Sequence, residues 1–361
     1  MKFFELDPLD TLFFRDGRPF AAGETGQMEV EGNFPPPPST VAGALRAELA
    51  RSLGWDGSSD GWDLVAGQLG RGLNLGGLEF FGPYLLKGTD MLLPAPLALV
   101  QEDQANGAIS RLTPGDRIDS DLGPARFPSR KEPGKAEPLS KAWLTLTGMQ
   151  EFLAGGLPKT DQVIMSDQLF QRERRVGIRR DDQSRTTGED SLYQTAHYRP
   201  QRGVKIAAGL SGWEGELGQL LTLGGESRMS WAVALPGGLA MPGPVELVPD
   251  PDGKVHYLIY LLTPTNVDGG RKPNEPLAEE VPGTVISACI DRPWLIGGWD
   301  SAKNKPLPLQ TYYRAGTVFF MEAQAGEIDQ IQRLHRGKIG SNQPFGFGQI
   351  LIGKWEDSWK A

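Results

Sequence analysis

Four consecutive prolines, Pro35 to Pro38, separate a long loop from a helix-forming run, and this junction limits the fold more than any other stretch. Prolines stiffen the chain on the way in. Directly after them Val41, Leu45, Leu49 and Leu53 recur at a spacing of four until Gly54, which predicts a helix with one apolar stripe, capped by Ser39 or Thr40. It is the clearest helix in the sequence. Elsewhere the apolar residues come in short runs broken by turn formers, which read as strands: KFFELD at 2–7, LFF at 12–14, LEFFGPYLL at 78–86, MLL at 91–93, RMSWAVAL at 228–235, VHYLIYLL at 255–262, TVISACI at 284–290, TVFFM at 317–321 and a last strand over 347–355. Further helical stretches are read at 141–153 and at 327–335, the latter with Ile328, Ile331 and Leu334 on one face. Residues 101–140, polar and scattered with proline and glycine, read as a long insertion or mobile loop. Forty-seven glycines and 29 prolines supply the turns such a chain needs, so the expected class is α+β.

A chain of 361 residues is long for a single core and predicts two domains, 1–204 and 205–361, dividing near Val204. The single cysteine, Cys289, has no intramolecular partner, which points to a reducing compartment and the cytoplasm. Glu5, Asp7 and Asp10 interrupt any signal-peptide core, and nothing further along offers a membrane-spanning apolar run. The formal charge of -8 argues against a chain that is basic all over. One window departs from it: residues 171–202 hold eight arginines against five acids, a surplus of three that leaves -11 for the remainder.

Three segments are candidates for binding chemistry. GKIGSNQPFGFG, 337–348, combines glycines whose amides can approach phosphates, the charge of Lys338, and the π-faces of Phe345 and Phe347; the alternative is a plain turn with core phenylalanines. The overlapping GQILIGK at 348–354 imitates the start of a nucleotide-binding loop, but Trp355 stands where magnesium ligation needs Ser or Thr. The helix start at Ser39 and Thr40, with Arg46 two turns on, is either an anion site or an ordinary capped helix. The arginine-dense 172–199 segment reads as a β-hairpin or extended arm whose guanidinium groups bind phosphate, or as a solvated charged loop.

Catalytic chemistry finds little support. His197, His256 and His335 lie far apart, and no metal or nucleophile motif is present. His256 reads as a core histidine. His197, beside Tyr198 and Arg199, is the one histidine in an electropositive context and the candidate general base for metal-independent RNA cleavage.

The segments FELDPLDTLFFRDGRPF, FPPPPSTVAGALR, ERRVGI followed by LYQTAHYR, LGGESRM, WLIGGWD followed by AGTVFF, and GFGQIL occur in an order that resembles the third Cmr subunit of type III-B CRISPR effector complexes, within the repeat-associated mysterious protein superfamily. The resemblance spans nearly the whole chain, with the least coverage at 101–140. It implies two ferredoxin-like, RRM-related modules and a non-catalytic subunit without a cofactor. By the same resemblance the subunit holds the 5′ repeat-derived tag of the CRISPR RNA, pairs with the large polymerase-nuclease subunit and adjoins a backbone subunit. It assigns guide-RNA contact to the glycine loop at Gly337, Lys338, Gly340, Gly346, Phe347 and Gly348. Ser341, Asn342 and Phe345 then compensate for the loop's shortage of basic residues, which implies a shallow salt dependence there. The resemblance also makes the 172–199 arm, with Arg174, Arg175, Gly177, Ile178, Arg179, Arg180 and Arg199, a candidate thumb-like hairpin. Arg15 and Arg18 of the opening motif complete the expected RNA contacts, together with Ser39, Thr40 and Arg46.

Overall fold

The structure, a computed structural model, describes residues 1–15, 29–30, 32–102, 107–120, 123–131, 134–178, 186, 192–269, 272–300, 303 and 305–357, with backbone alone at 29–30 and 192–193. The elements that position the candidate sites are, in chain order, β1 (Lys2–Pro8), α1 (Pro38–Ser52), β2 (Glu79–Lys87), β3 (Asp90–Pro94), β4 (Ala142–Thr145), α2 (Leu146–Leu153), β5 (Phe170–Ile178), β6 (Leu192–Pro200), β7 (Val204–Ser211), β8 (Met229–Ala234), β9 (Lys254–Leu261), β10 (Thr284–Cys289), β11 (Val318–Gln324), α3 (Ile328–Arg333) and β12 (Ile350–Lys354). The class is α+β, with sheets mostly antiparallel and helices few. Among the described residues no helix is long and apolar enough to cross a membrane.

One compact unit comprises Met1–Gly88, Asp167–Gly238 and Leu295–Gln310. Within it β8, β1, β7 and β2 lie side by side in that order, each pair antiparallel, so the chain's fourth strand borders the first, then the third, then the second. The strand that begins at Val204 is therefore the partner of β1 over Lys2↔Leu210 to Leu6↔Ile206. Alternation sets the faces of β1: Phe4 and Leu6 are buried, whereas Glu5 accepts a 2.7 Å bond from Lys205 Nζ. Helix α1 packs on β2 and buries Val41, Leu45 and Leu49, as its spacing predicts.

Two expectations are corrected here. The helix is not capped by Ser39 or Thr40: Pro37 is the N-cap, Pro38 opens the helix and no side chain caps it. Proline suits the first helical position because its fixed φ is already helical and its missing N–H would have gone unsatisfied there. Residues 12–14 form no strand, only a single bridge between Leu12 and Tyr198. That bridge ties the opening segment to the base of a long hairpin, β5 against β6, in register from Phe170↔Pro200 to Ile178↔Leu192. The arginine window is thus a β-hairpin. Phe34 anchors it, with ring centroids 4.5 Å from Phe170 and 5.5 Å from Tyr198.

The other unit comprises Thr89–Ser166, Leu239–Trp294 and Thr311–Ala361. Its four-stranded antiparallel sheet runs β12, β9, β11, β10, which is again fourth, first, third, second. Strand β9 is fully buried from Tyr257 to Leu261, so it reads as a continuous apolar run without alternation. Helix α2 packs against β12, and α3 connects β11 to it. The two sheets share a strand order but not their helices: α1 lies between the first and second strands of its sheet, α3 between the third and fourth of its own.

The reading of 101–140 as a loop is also corrected. It supplies the strands Ile109–Arg111 and Ala136–Pro138, which flank Leu99–Glu102, and a separate ribbon of Thr113–Ser120 against Gly123–Ser129. In that ribbon Pro114 faces Pro128. A two-stranded ribbon has only edges, so proline is tolerated where a central strand would exclude it. Arg111 secures the region from inside, donating to the Phe152 carbonyl at 2.8 Å and the Lys354 carbonyl at 2.9 Å, and burial lowers its guanidinium pKa to about 10.

Candidate functional site

The glycine loop follows α3 and closes onto β12. Its glycines serve backbone closure first. Gly340 and Gly348 adopt φ values of 76° and 80°, and a Cβ at either would stand 2.1 Å from a carbonyl oxygen, of Asn266 and Ile339 respectively. All four glycine amides of the loop and two others already donate within the protein: Gly337 to Leu334, Ile339 to Gly348, Ser341 to Asn266, Gly346 to Gln343 and Gly348 to Pro264, all to carbonyls, with Gly340 donating to the Glu280 carboxylate at 3.2 Å. The Gly346 carbonyl accepts from Thr263 Oγ1 and Gln349 Nε2. Lys338 Nζ reaches the Gln343 carbonyl at 3.0 Å.

Phe347 is corrected in its role. Only 2% exposed, it stacks on Tyr312 with centroids 4.7 Å apart, so its face is taken by a protein ring and cannot receive a base. Asn342, at φ 60°, donates to the Tyr312 hydroxyl at 2.7 Å. The solvent-facing part of the loop is Ser341 and Pro344, with Lys338, Asn342, Gln343 and Phe345 half-buried around them. The result is a stiff rim with few donors to offer through its backbone.

The hairpin carries its charge differently on its two faces. Glu173, Arg175, His197 and Arg199 share one face by strand alternation, and Asp10, Glu226 and Arg228 join them from elsewhere in the chain. Asp10 lies 3.0 Å from Arg199, 3.1 Å from Arg228 and 3.4 Å from Arg175, while Glu173 lies 2.7 Å from Arg175 and 2.8 Å from Arg199. Arg199 and Arg175 hold the Glu173 carboxyl below its ordinary pKa. Desolvation pushes the Asp10 carboxyl up, but the Thr11 amide, Arg175 and Arg199 outweigh it and leave it lowered. Glu226 reaches this network from a turn in which it and Ser227 both adopt left-handed backbone, φ 54° and 51°. On the opposite face Arg172, Arg174, Val176 and Ile178 are exposed, the last two at 63% and 52%.

His197 is 0% exposed. Its ring stacks on Phe13 at 5.1 Å, Nδ1 lies 3.1 Å from Thr11 Oγ1, and Nε2 stands 3.2 Å from Glu226 Oε2 without hydrogen-bond alignment. Burial lowers its pKa. An imidazole enclosed in this way has no path to a ribose 2′-hydroxyl, so the His197 nuclease alternative is set aside on geometry. His335 is likewise a pin, with Nε2 donating to the Pro242 carbonyl and Nδ1 accepting from the Ile352 amide. His256 is half-buried at the core's edge, its ring tilted 35° to Trp355 with centroids 4.5 Å apart and Nε2 3.1 Å from Glu322 Oε2.

Arg46 is buried and directs its guanidinium at the carbonyls of Leu69, Gly72 and Asn74, at 2.9, 2.7 and 3.0 Å, over the ring of Trp62. Burial lowers its pKa. Ser39 and Thr40 sit half-buried in the first helical turn. Arg15 is exposed and bridges to Gly32, and Gly177 is half-buried in β5. Arg18, Arg179 and Arg180 lie outside the described residues. The structure thus gathers Arg15, Arg174, Arg175 and Arg199 about the hairpin, and separately gathers the loop residues. Sequence reasoning missed Asp10, Glu226 and Arg228 in the hairpin network and Asn266, Glu280 and Tyr312 beneath the loop. The FELDPLDTLFFRDGRPF segment carried Asp10, and LGGESRM carried Glu226 and Arg228. Among the described residues no cluster of His, Cys, Asp and Glu is arranged to hold a metal ion.

The chain matches the family described as CRISPR-associated protein (Cas_Cmr3) over residues 4–355. No curated protein matches it by sequence. Among solved structures it is similar to a chain in the cryo-EM structure of the Type III-B Cmr-beta bound to cognate target RNA and AMPPnP, state 1, at 14% identity and TM-score 0.50, covering 98% of this chain and 99% of that one. A chain of the Type III-B Cmr-beta bound to cognate target RNA matches at 15% identity and TM-score 0.48, covering 92% and 89%. At 14% identity the first of these likenesses is one of fold alone. The family match, which takes in both the hairpin and the glycine loop, places this chain in the CRISPR-associated Cmr3 family.

Proposed function

We infer that this protein is a non-catalytic RNA-binding subunit of a type III-B CRISPR effector complex, holding the 5′ tag of the CRISPR RNA. The observation that carries the reading is the family match from residue 4 to residue 355. Two ferredoxin-like modules are part of it, and the repeated strand order of the two sheets supports them. In this reading the first module runs through β8, one helix short of the full pattern, and the second lacks the complementary helix among the described residues. The hairpin acts as a thumb, with Arg172 and Arg174 facing phosphates from the side away from the acidic network. The glycine loop contributes a shaped rim, with Ser341, Asn342 and Lys338 nearest the guide. The large polymerase-nuclease subunit and a backbone subunit are the protein partners.

One observation favours a second reading, a structural bridge with the RNA held by other subunits: the loop's amides are engaged internally. Ultraviolet crosslinking with mass spectrometry on the protein copurified with its partners and guide RNA separates the two. Crosslinks from the hairpin and from Phe345 to the tag are expected. Tag crosslinks confined to other subunits would leave this chain a scaffold.

A further inference from the structure

Two tryptophans stand out from the first unit, Trp231 at 45% exposed and Trp299 at 58%. Their surroundings carry opposite charge. Trp231 pairs in register with Asp7, and Val233 next to it on the same face pairs with Glu5, two carboxylates that share the Lys205 ammonium and outnumber it, so a polyanion approaching that face meets a net negative charge. Trp299 lies on a short antiparallel ribbon, Trp299–Asp300 against Lys305–Pro306. Lys303 and Lys305 accompany it, both exposed. Asp300, the one acid between Leu295 and Gln310, is turned inward at 6% exposed, accepts from the Lys303 amide at 3.2 Å and lies 3.8 Å from Lys303 Nζ, so the two lysines outnumber it by one charge.

The ribbon is held from below. A Cβ at Gly297 would stand 3.0 Å from Leu309 Cδ2 and one at Gly298 3.2 Å from Leu307 Cδ1, so the two leucines lie across the glycines, and the Leu307 amide donates to the Gly298 carbonyl at 3.0 Å. No aromatic or cationic group among the described residues covers the Trp299 indole. An open π-face flanked by two exposed ammonium groups, with one inward carboxylate to offset them, suits a ligand that is both anionic and flat-faced.

We propose that the Trp299 ribbon is a stacking platform for single-stranded RNA, one base lying on the indole and the flanking phosphates on Lys303 and Lys305. A protein partner would need acids to match the lysines and offers no use for the open ring face beyond apolar contact. The site lies outside both the glycine loop and the arginine hairpin.

The test is fluorescence anisotropy of a fluorescein-labelled oligouridylate on the full-length chain across a salt series, with thermal melting to verify folding. Trp299→Ala weakens binding about five- to a hundredfold, and Trp299→Phe retains most of the affinity. Lys303→Gln with Lys305→Gln lowers the slope of log affinity against log salt by about 1.4. The proposal is overturned if folded Trp299→Ala binds within twofold of the parent, or keeps its RNA affinity while losing a copurifying subunit. Should Trp299→Ala not fold, Trp299→Leu against Trp299→Phe decides: equal affinities sink the stacking role. The oligouridylate carries no repeat tag, so this result and the tag crosslinks fail or succeed separately.

Discussion

The glycine loop and the arginine hairpin announce themselves in the same way, by local enrichment in a residue type suited to phosphate, yet the molecule uses the two enrichments oppositely. In the loop the enriched residue is turned inward to construction: Gly340 and Gly348 occupy left-handed backbone against carbonyls, and the amides they free from steric protection are taken by the protein itself. In the hairpin the ladder is made by backbone groups that any residue supplies, so the arginine side chains divide by face, Arg175 and Arg199 into a network with Asp10 and Glu173, Arg172 and Arg174 to the solvent side. Density of a residue type therefore reports a candidate site, and backbone geometry decides whether its groups are available.

If that contrast holds, the largest effect is on folding of the loop. Phe347→Ala removes a buried ring from Tyr312 and is expected to cost about 3–5 kcal/mol, read as a fall in urea midpoint. A loss under about 1 kcal/mol would mean the ring is not a core group. Gly348→Ala forces a Cβ into left-handed backbone against the Ile339 carbonyl and is expected to cost about 1–3 kcal/mol by thermal melting. Little change would show the loop to be looser than its bonding implies.

The hairpin should respond in RNA binding and not in stability. Arg172→Ala with Arg174→Ala is expected to leave stability within about 0.5 kcal/mol while lowering the salt slope of guide binding by about 1.4. A fall in melting temperature instead would place these arginines in the fold. The smallest effect concerns acid. Asp10 and Glu173 have lowered pKa values in the folded state, so their contribution is full above the unfolded values near 3.8 and 4.5 and is lost as pH falls through the lower folded ones. Hydrogen exchange at Thr195 and Ala196 should therefore quicken below about pH 4, by a modest factor because the pairs are solvent-screened. Unchanged protection there would show the network to be dispensable for docking the hairpin.

Legibility in the sequence followed how local each signal was. Strands β9 and β11 were visible as apolar runs because burial on both faces leaves few polar positions to confuse the period, β10 was visible because its buried positions alternate, and α1 was visible because its stripe repeats over four turns. The ribbons within 101–140 were hidden because short half-exposed strands with proline on both sides carry the composition of a loop. The helix start was placed two residues late, since a proline at the first turn competes with Ser and Thr as a signal. The burial of His197 was hidden for another reason: its polar neighbours along the chain, Thr195 and Arg199, share a face that Phe13, Thr11 and Glu226 cover from distant positions.

By itself the sequence determined the α+β class and marked the arginine-dense and glycine-dense segments, because each follows from composition, dihedral preference and periodicity within a few residues; that the first is a hairpin and the second a closed turn came from the structure. Only the tertiary structure decided that Arg46 holds carbonyls, that Phe347 is covered and that Asp10 binds Arg199 across most of the first unit's chain length. Local propensity acts over one turn or one strand, whereas the availability of a side chain depends on which distant segments pack against it, and that is a property of the folded whole.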